Sequence, residues 1–213
     1  MILGISGSGR TNGITSKVIK KILENCNEET EFISLSGKKI GGCLGCTACA
    51  KDNICIIQDD FHEIANKMLK ADKIIFGAPN YFGTLNAISH SFWERTYSFR
   101  HNEFLGLAGK LGVIISIGYN EIGTSSVNEE LKKFMSKYNF MSIIKEMFIE
   151  GYSQCYTCGF GLTCSIGKVV KDHGFIDKIE PHHLPKTLEE QNQSLFEIKK
   201  SVILLNNIKN DKV

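Results

Sequence analysis

The chain has 213 residues, 25 lysines and arginines against 23 aspartates and glutamates, and 42% hydrophobic residues. This balance excludes a disordered or fibrous chain and a broad basic face for nucleic acid or an anionic membrane, and leaves room for one small anionic ligand. A chain long enough to bury a sizeable core does not need disulfide staples, so its eight cysteines require another explanation.

Met1-Ile2-Leu3-Gly4-Ile5 shows no basic leader, long apolar segment or cleavage site, which predicts a cytoplasmic protein. Thiols stay reduced there, so clustered cysteines point to metal ligation or redox chemistry. Met1 to Ser6 reads as a buried first strand, followed by a Gly/Ser loop and a helix with Ile14, Val18, Ile22 and Cys26 on its apolar face. Glu31 to Leu35 reads as the second strand. After a cysteine-rich loop, Asp59 or Asp60 can cap a helix whose Phe61, Ile64, Ala65, Met68 and Leu69 share one face. Lys73 to Ala78 is the third strand, and Pro79 to Thr84 reads as a loop. A helix with Ile88, Phe92 and Trp93 follows, then the fourth strand at Leu111 to Ile117. Val127, Leu131, Phe134 and Tyr138 mark the next helix, Ser142 to Ile149 the fifth strand, and Leu195, Ile198, Val202 and Leu205 the last helix.

Strands alternating with helices predict an α/β fold: a doubly wound, five-stranded parallel sheet of flavodoxin-like order 2-1-3-4-5. The expectation is one domain over residues 1–213, with the cysteine-rich loop at 41–56 and a C-terminal extension at 151–213. Such sheets bind ligands outside the carboxyl ends of their strands.

In the first of those loops, Ser6-Gly7-Ser8-Gly9-Arg10-Thr11-Asn12-Gly13-Ile14-Thr15, amides, hydroxyls and a positive helix terminus converge where a phosphate could sit, and Arg10 adds a charge. The dinucleotide fingerprint fails because Asn12 stands where its third Gly belongs, and the P-loop ending is absent. A phosphate monoester therefore fits better than a pyrophosphate. Pro79-Asn80-Tyr81-Phe82-Gly83-Thr84, after the third strand, suits a flat heterocycle, and Gly118-Tyr119-Asn120-Glu121-Ile122-Gly123, after the fourth, could supply the other wall. Each alone is more often a simple turn; together they favour a planar mononucleotide.

Cys43, Cys46, Cys49 and Cys55 give C-x2-C-x2-C-x5-C among small residues that let a backbone fold around a compact cofactor. Four thiolates this close suit a [4Fe-4S] cluster ahead of zinc, which more often uses two C-x2-C knuckles on a longer spacer. Free cysteines are the remaining alternative. Together, Gly7-Ser8-x-Arg10-x-x-Gly13-x-Thr15, this cysteine loop with Asp59-Asp60 downstream, Pro79-x-Tyr81-Phe82-Gly83 and Gly109-Lys110 resemble the iron-sulfur flavoproteins within the flavodoxin-like NAD(P)H-dependent FMN reductases. The resemblance covers roughly the first 150 residues. It implies FMN, often a [4Fe-4S] cluster, and a homodimer or homotetramer. It also implies that Ser8, Arg10, Asn12, Gly13 and Thr15 hold the FMN phosphate, while Pro79, Asn80, Tyr81 and Phe82 line the isoalloxazine. Ile14 departs from the family's frequent Asn, weakening one phosphate contact. Glu94-Arg95 stands where Asp-Arg is frequent, which puts a local salt bridge in question.

Cys155, Cys158 and Cys164 form a second group, open to an incomplete metal site completed by Asp172 or His173, a reversible Cys155–Cys158 disulfide, or packing thiols. Cys26 reads as core, His182-His183 as solvated loop residues, and His62, His90 and His101 as isolated. The resulting expectation is an FMN-dependent oxidoreductase moving electrons between NAD(P)H or another small-molecule or protein donor, FMN and a [4Fe-4S] cluster, without nucleic-acid or membrane partners. The alternatives are a cluster-free NAD(P)H-dependent FMN, quinone or nitroaromatic reductase, and a non-enzymatic redox carrier or sensor.

Overall fold

The first strand, β1 (Ile2–Ser6), is buried at every position, because an apolar run with a helical layer on each side has no solvent face. The computed structural model describes residues 1–208. In it β1 pairs in parallel with β2 (Thr30–Ser34) on one side and β3 (Lys73–Tyr81) on the other. β3 continues past the expected Ala78, turns at Phe82-Gly83, and receives the short antiparallel strand β4 (Thr84–Leu85). Positive φ at both Phe82 (55°) and Gly83 (81°) makes this a type I′ hairpin rather than an open loop. β5 (Leu111–Gly118) and β6 (Ser142–Glu150) extend the parallel sheet to the order β2-β1-β3-β5-β6. With β4 set aside as a side hairpin, this is the expected 2-1-3-4-5 arrangement.

Strand residues point alternately to two cores. On one face Ile2, Ile75, Val113 and Ile115 pack against α1 (Ile14–Leu23) and α6 (Asn192–Asn207), through Val18, Ile19, Ile22, Ile198 and Leu205. On the other, Leu3, Ile5, Ile74, Phe76 and Ile114 meet α2 (Phe61–Lys70), α3 (Ala87–Arg95) and α4 (Ser125–Lys132). Here Phe76 stacks on Phe92 at 5.6 Å and meets Trp93 edge-on at 5.1 Å. Among the described residues no helix is long and apolar enough to cross a membrane.

Two helical expectations shift. α1 ends at Leu23, so Cys26 lies beyond it, half-buried, with its thiol on the Ile22 carbonyl and its flank against the α1–α6 core. α4 continues as a π-helical stretch, Lys133–Tyr138, whose wider turn buries Met135 in line with Val127 and Leu131 and leaves Tyr138 exposed.

Phe76 is fully buried at the centre of the aromatic group. Phe76→Ala should cost about 3–5 kcal/mol, read as a lower urea midpoint with an unchanged m-value.

Candidate functional site

The order of the sheet reverses between β1 and β3, and the loops leaving those strands open a crevice at their carboxyl ends. Gly7 enters the first loop through its N–H to the Gly77 carbonyl at 2.7 Å, while its own carbonyl accepts Asn86 Nδ2 at 2.7 Å and Ser89 Oγ at 3.3 Å. A Cβ on Gly7 would fall 2.0 Å from Ser89 Oγ, so the loop's course depends on a glycine there. Ser8 is buried and its hydroxyl accepts the Arg10 N–H at 3.1 Å. Thr15 is buried in the first turn of α1, and Arg10 and Asn12 are exposed above it. Gly13 precedes α1 without any side-chain cap, and the first turn has no acidic residue. The first-turn amides, which have no partner within the helix, therefore face the loop with the positive end of the helix dipole.

The register aligns the other two loops with this one. Ser6 pairs with Gly77, and Pro79 with Ile117, so Pro79, Asn80 and Gly118 emerge at one edge. Asn80 Nδ2 donates to the Gly123 carbonyl at 2.6 Å and to Thr124 Oγ1 at 3.3 Å, tying the second loop to the third. A Cβ at Gly118 would meet Thr124 Oγ1 at 1.9 Å, so only glycine admits this contact. Tyr81, Phe82 and Tyr119 are exposed, with Phe82 on the hairpin tip and Lys168 Nζ 5.5 Å over the Tyr119 ring.

Cys43, Cys46, Cys49 and Cys55 line one pocket together with Arg95, Tyr97 and Ser98. Arg95, the last residue of α3, is fully buried there, and each of its N–H groups has an acceptor. Nε donates to Cys55 Sγ at 3.1 Å, Nη1 to the Gly41 carbonyl at 3.1 Å and Asp59 Oδ2 at 2.7 Å, and Nη2 to the Ile57 carbonyl at 3.1 Å and Asp59 Oδ1 at 3.2 Å. Its guanidinium also lies 4.8 Å over the Phe61 ring. The local salt bridge in question is thus present. Burial pushes the Asp59 carboxyl up, but hydrogen bonds from Arg95, Gly41 and Phe61 outweigh it and hold the group below the usual carboxylate range. Burial also pushes the Cys49 thiol up, against a backbone hydrogen bond, and crowding by Cys55, Cys43 and Cys46 adds to the rise. Among the described residues no three His, Cys, Asp or Glu side chains close on one point as a single ion requires.

Sequence reasoning missed several parts of this pocket. His101, read as isolated, sets Nε2 3.2 Å from Cys49 Sγ. Glu94 accepts the Cys43 N–H at 3.3 Å, and Asn102 Nδ2 donates to the Ala50 carbonyl at 2.6 Å. Asp60 occupies the cap position of α2 but its carboxylate instead accepts the Lys39 N–H at 2.6 Å, while Asp59 accepts the Phe61 N–H at 3.1 Å. His182 and His183 fall in a short 3-10 turn where His183 Nδ1 accepts the Glu180 N–H at 3.0 Å, so His183 is partly enclosed. Of these, the acidic pair was flagged by its position before a helical pattern and Glu94 by its place beside Arg95, whereas Glu94, His101 and Asn102 act on partners some fifty residues away.

The sheet order and the crevice at its reversal define a flavodoxin-like α/β protein. Residues 1–153 match the family described as NADPH-dependent FMN reductase, and the chain belongs to that family. An iron-sulfur flavoprotein of Methanocaldococcus jannaschii is 38% identical over 125 residues, 57% of this chain and 64% of that protein. One of Methanosarcina thermophila is 36% identical over 125 residues, 57% of this chain and 65% of that protein. The chain thus spans just under two thirds of the length of these curated relatives. An azoreductase from Bacillus anthracis str. Sterne shares the fold with a TM-score of 0.58 at 14% identity, over 97% of this chain and 99% of that one. The family resemblance carried by the loop motifs is borne out.

Removing the Asp59 charge would leave Arg95 buried and unpaired. Asp59→Asn should cost about 3–5 kcal/mol at neutral pH by urea unfolding. Because the folded-state pKa of Asp59 lies below its unfolded value, its contribution is complete above the unfolded pKa and is lost as pH falls through the folded one. The stability gap between wild type and variant should therefore narrow on acidification below the usual carboxylate range; a gap independent of pH there would refute the assignment.

Proposed function

We propose that the chain is an FMN-dependent oxidoreductase in which FMN and a [4Fe-4S] cluster exchange electrons, with NAD(P)H or another small-molecule or protein partner as donor or acceptor. The observation that carries this reading is the pairing, in one chain, of an uncapped helix terminus behind a hydroxyl-rich loop with a pocket lined by four cysteines. Membership of the FMN reductase family supports the flavin, and the names of the relatives support the cluster. One domain carries both parts, a reading supported by α6 packing on the same core as α1.

The residues fit both groups. Ser8, Arg10, Asn12, Gly13 and Thr15 would hold the phosphate, whose charge suits the free first-turn amides. Pro79, Asn80, Tyr81, Phe82, Gly118 and Tyr119 would flank the isoalloxazine. FMN, when bound, supplies the two-electron and one-electron chemistry, and the chain positions it and tunes its surroundings. Cys43, Cys46, Cys49 and Cys55 would ligate the cluster. The Arg95 N–H on Cys55 and the Gly45 N–H on Cys43 (3.5 Å) are hydrogen bonds of the kind that tune a cluster's potential.

Anaerobically purified protein should contain one FMN and about four irons and four sulfides per chain. Cys43→Ser with Cys46→Ser should lose the iron and keep the flavin. Stoichiometric zinc, or iron indifferent to these changes, would remove the cluster from the proposal. Arg10→Ala should weaken FMN binding by roughly 10- to 100-fold, the worth of a hydrogen bond to a charged group, measured by flavin fluorescence. Anaerobic titration with NADH and with NADPH should bleach the flavin absorbance; no bleaching by either would move the donor role to another partner.

Leu44, Ile54 and Ile56 stand exposed beside the cysteine pocket. An apolar patch there suits assembly as a homodimer or homotetramer. Leu44→Glu with Ile56→Glu should shift the protein toward monomer in sedimentation velocity, and an unchanged assembly would place the contact elsewhere.

A further inference from the structure

Beyond β6 the chain returns over the carboxyl ends of the sheet, where Arg10 of the first loop hydrogen-bonds Gln154. The next residue, Cys155, is half-buried, and Cys158 is exposed. Gln154–Tyr156 forms a 3-10 turn that the Thr157 N–H closes on the Gln154 carbonyl at 2.9 Å. This turn brings Cys158 Sγ to 3.5 Å from the Cys155 carbonyl oxygen. The wrapping is tight, since a Cβ on Gly161 would fall 2.3 Å from that same oxygen.

The two sulfurs have different surroundings. The neighbouring Ser153 hydroxyl and Lys168 backbone N–H, with positive charge from Lys171, outweigh partial burial and lower the Cys155 thiol pKa, and the Cys155 N–H is held by Ser153 Oγ at 3.2 Å. Cys158 Sγ receives one N–H, from Phe160 at 3.4 Å. The other polar groups of this segment are engaged with each other: Tyr156 donates to Asp172 at 2.9 Å, its hydroxyl lies 3.0 Å from His173 Nε2, and Lys168 pairs with Asp172. A neighbouring hydroxyl and cation suit a reactive thiolate over a packing thiol, and the contact of Cys158 Sγ with the Cys155 carbonyl sets the second thiol against the first residue.

We propose that Cys155 is a nucleophilic thiol and Cys158 its resolving partner, forming a dithiol–disulfide couple on the segment that abuts the first loop. The Cys155 thiolate attacks one sulfur of a low-molecular-weight disulfide, breaks its S–S bond and expels one thiolate, leaving a mixed disulfide on Cys155. Cys158 then loses its proton, attacks the Cys155 sulfur and expels the second thiolate. The two cysteines are oxidised, the external disulfide is reduced to two thiols, and the protons released protonate the leaving groups. The couple requires neither FMN nor the cluster, so its failure and theirs are separable.

Anaerobically purified holoprotein is incubated with glutathione disulfide, quenched in acid, alkylated and mapped by peptide mass. Wild type should yield a Cys155–Cys158 disulfide peptide. Cys158→Ser should accumulate glutathione on Cys155, and Cys155→Ser should leave Cys158 alkylated, with its modification slower than that of Cys155. Cys155→Ala, checked for native circular dichroism, repeats the second arm without a hydroxyl. The proposal is overturned by first modification at Cys158 or Cys164, by a Cys155–Cys164 bond, or by a wild-type peptide that stays reduced.

Discussion

A buried guanidinium organises the cysteine pocket. Taking Arg95 and Asp59 out of water costs several kcal/mol per ion, and only close geometry with every donor and acceptor used offsets that cost. Arg95 meets this condition with a forked pair to Asp59, two backbone carbonyls and a thiol. Its acceptors come from Gly41, Cys55, Ile57 and Asp59, so one side chain clamps both ends of the loop that carries the cysteines. Such a loop is short of apolar residues to bury and could not hold a shape by packing alone. The ion pair therefore acts as an anchor whose value is specificity of loop geometry, and whose loss leaves a charge stranded.

The anchor also fixes where the pocket lies. At its start, α3 is joined to the first loop by Asn86 and Ser89 on the Gly7 carbonyl, and at its end Arg95 grips the cysteine loop. Nine residues at the helical rise separate these ends by about 13 Å. The helix is held by Phe92 and Trp93 against Phe76 of β3, so the central sheet, the first loop and the cysteine pocket share one rigid connection. A change in the core under α3 would thus be felt at both ends.

Much of this was legible in the sequence wherever the signal is local. Apolar runs marked β1, β3 and β5, because strands buried on both faces need no alternation, while the edge strands β2 and β6 are only partly buried. The cysteine spacing was legible because neighbours in sequence stay neighbours in a loop. What stayed hidden depends on topology: Arg95 and Cys55 are 40 residues apart, His101 and Cys49 52, and Asn86 and Gly7 79. No periodicity encodes these meetings. The hairpin strand at Thr84–Leu85 was too short to show a pattern, and the π-helical end of α4 changed the period on which the placement of Tyr138 relied.

The near-neutral charge of the chain is consistent with a strongly directional first loop. No acidic side chain stands in the first turn of α1 and no side chain caps it, so its amides keep their positive potential. Ser8, which could have competed for those amides, is turned to the Arg10 N–H instead, and Arg10 extends to Gln154. Positive potential is therefore concentrated by omission of competing groups rather than by an excess of basic residues. An arrangement of this kind suits the single phosphate proposed for the first loop.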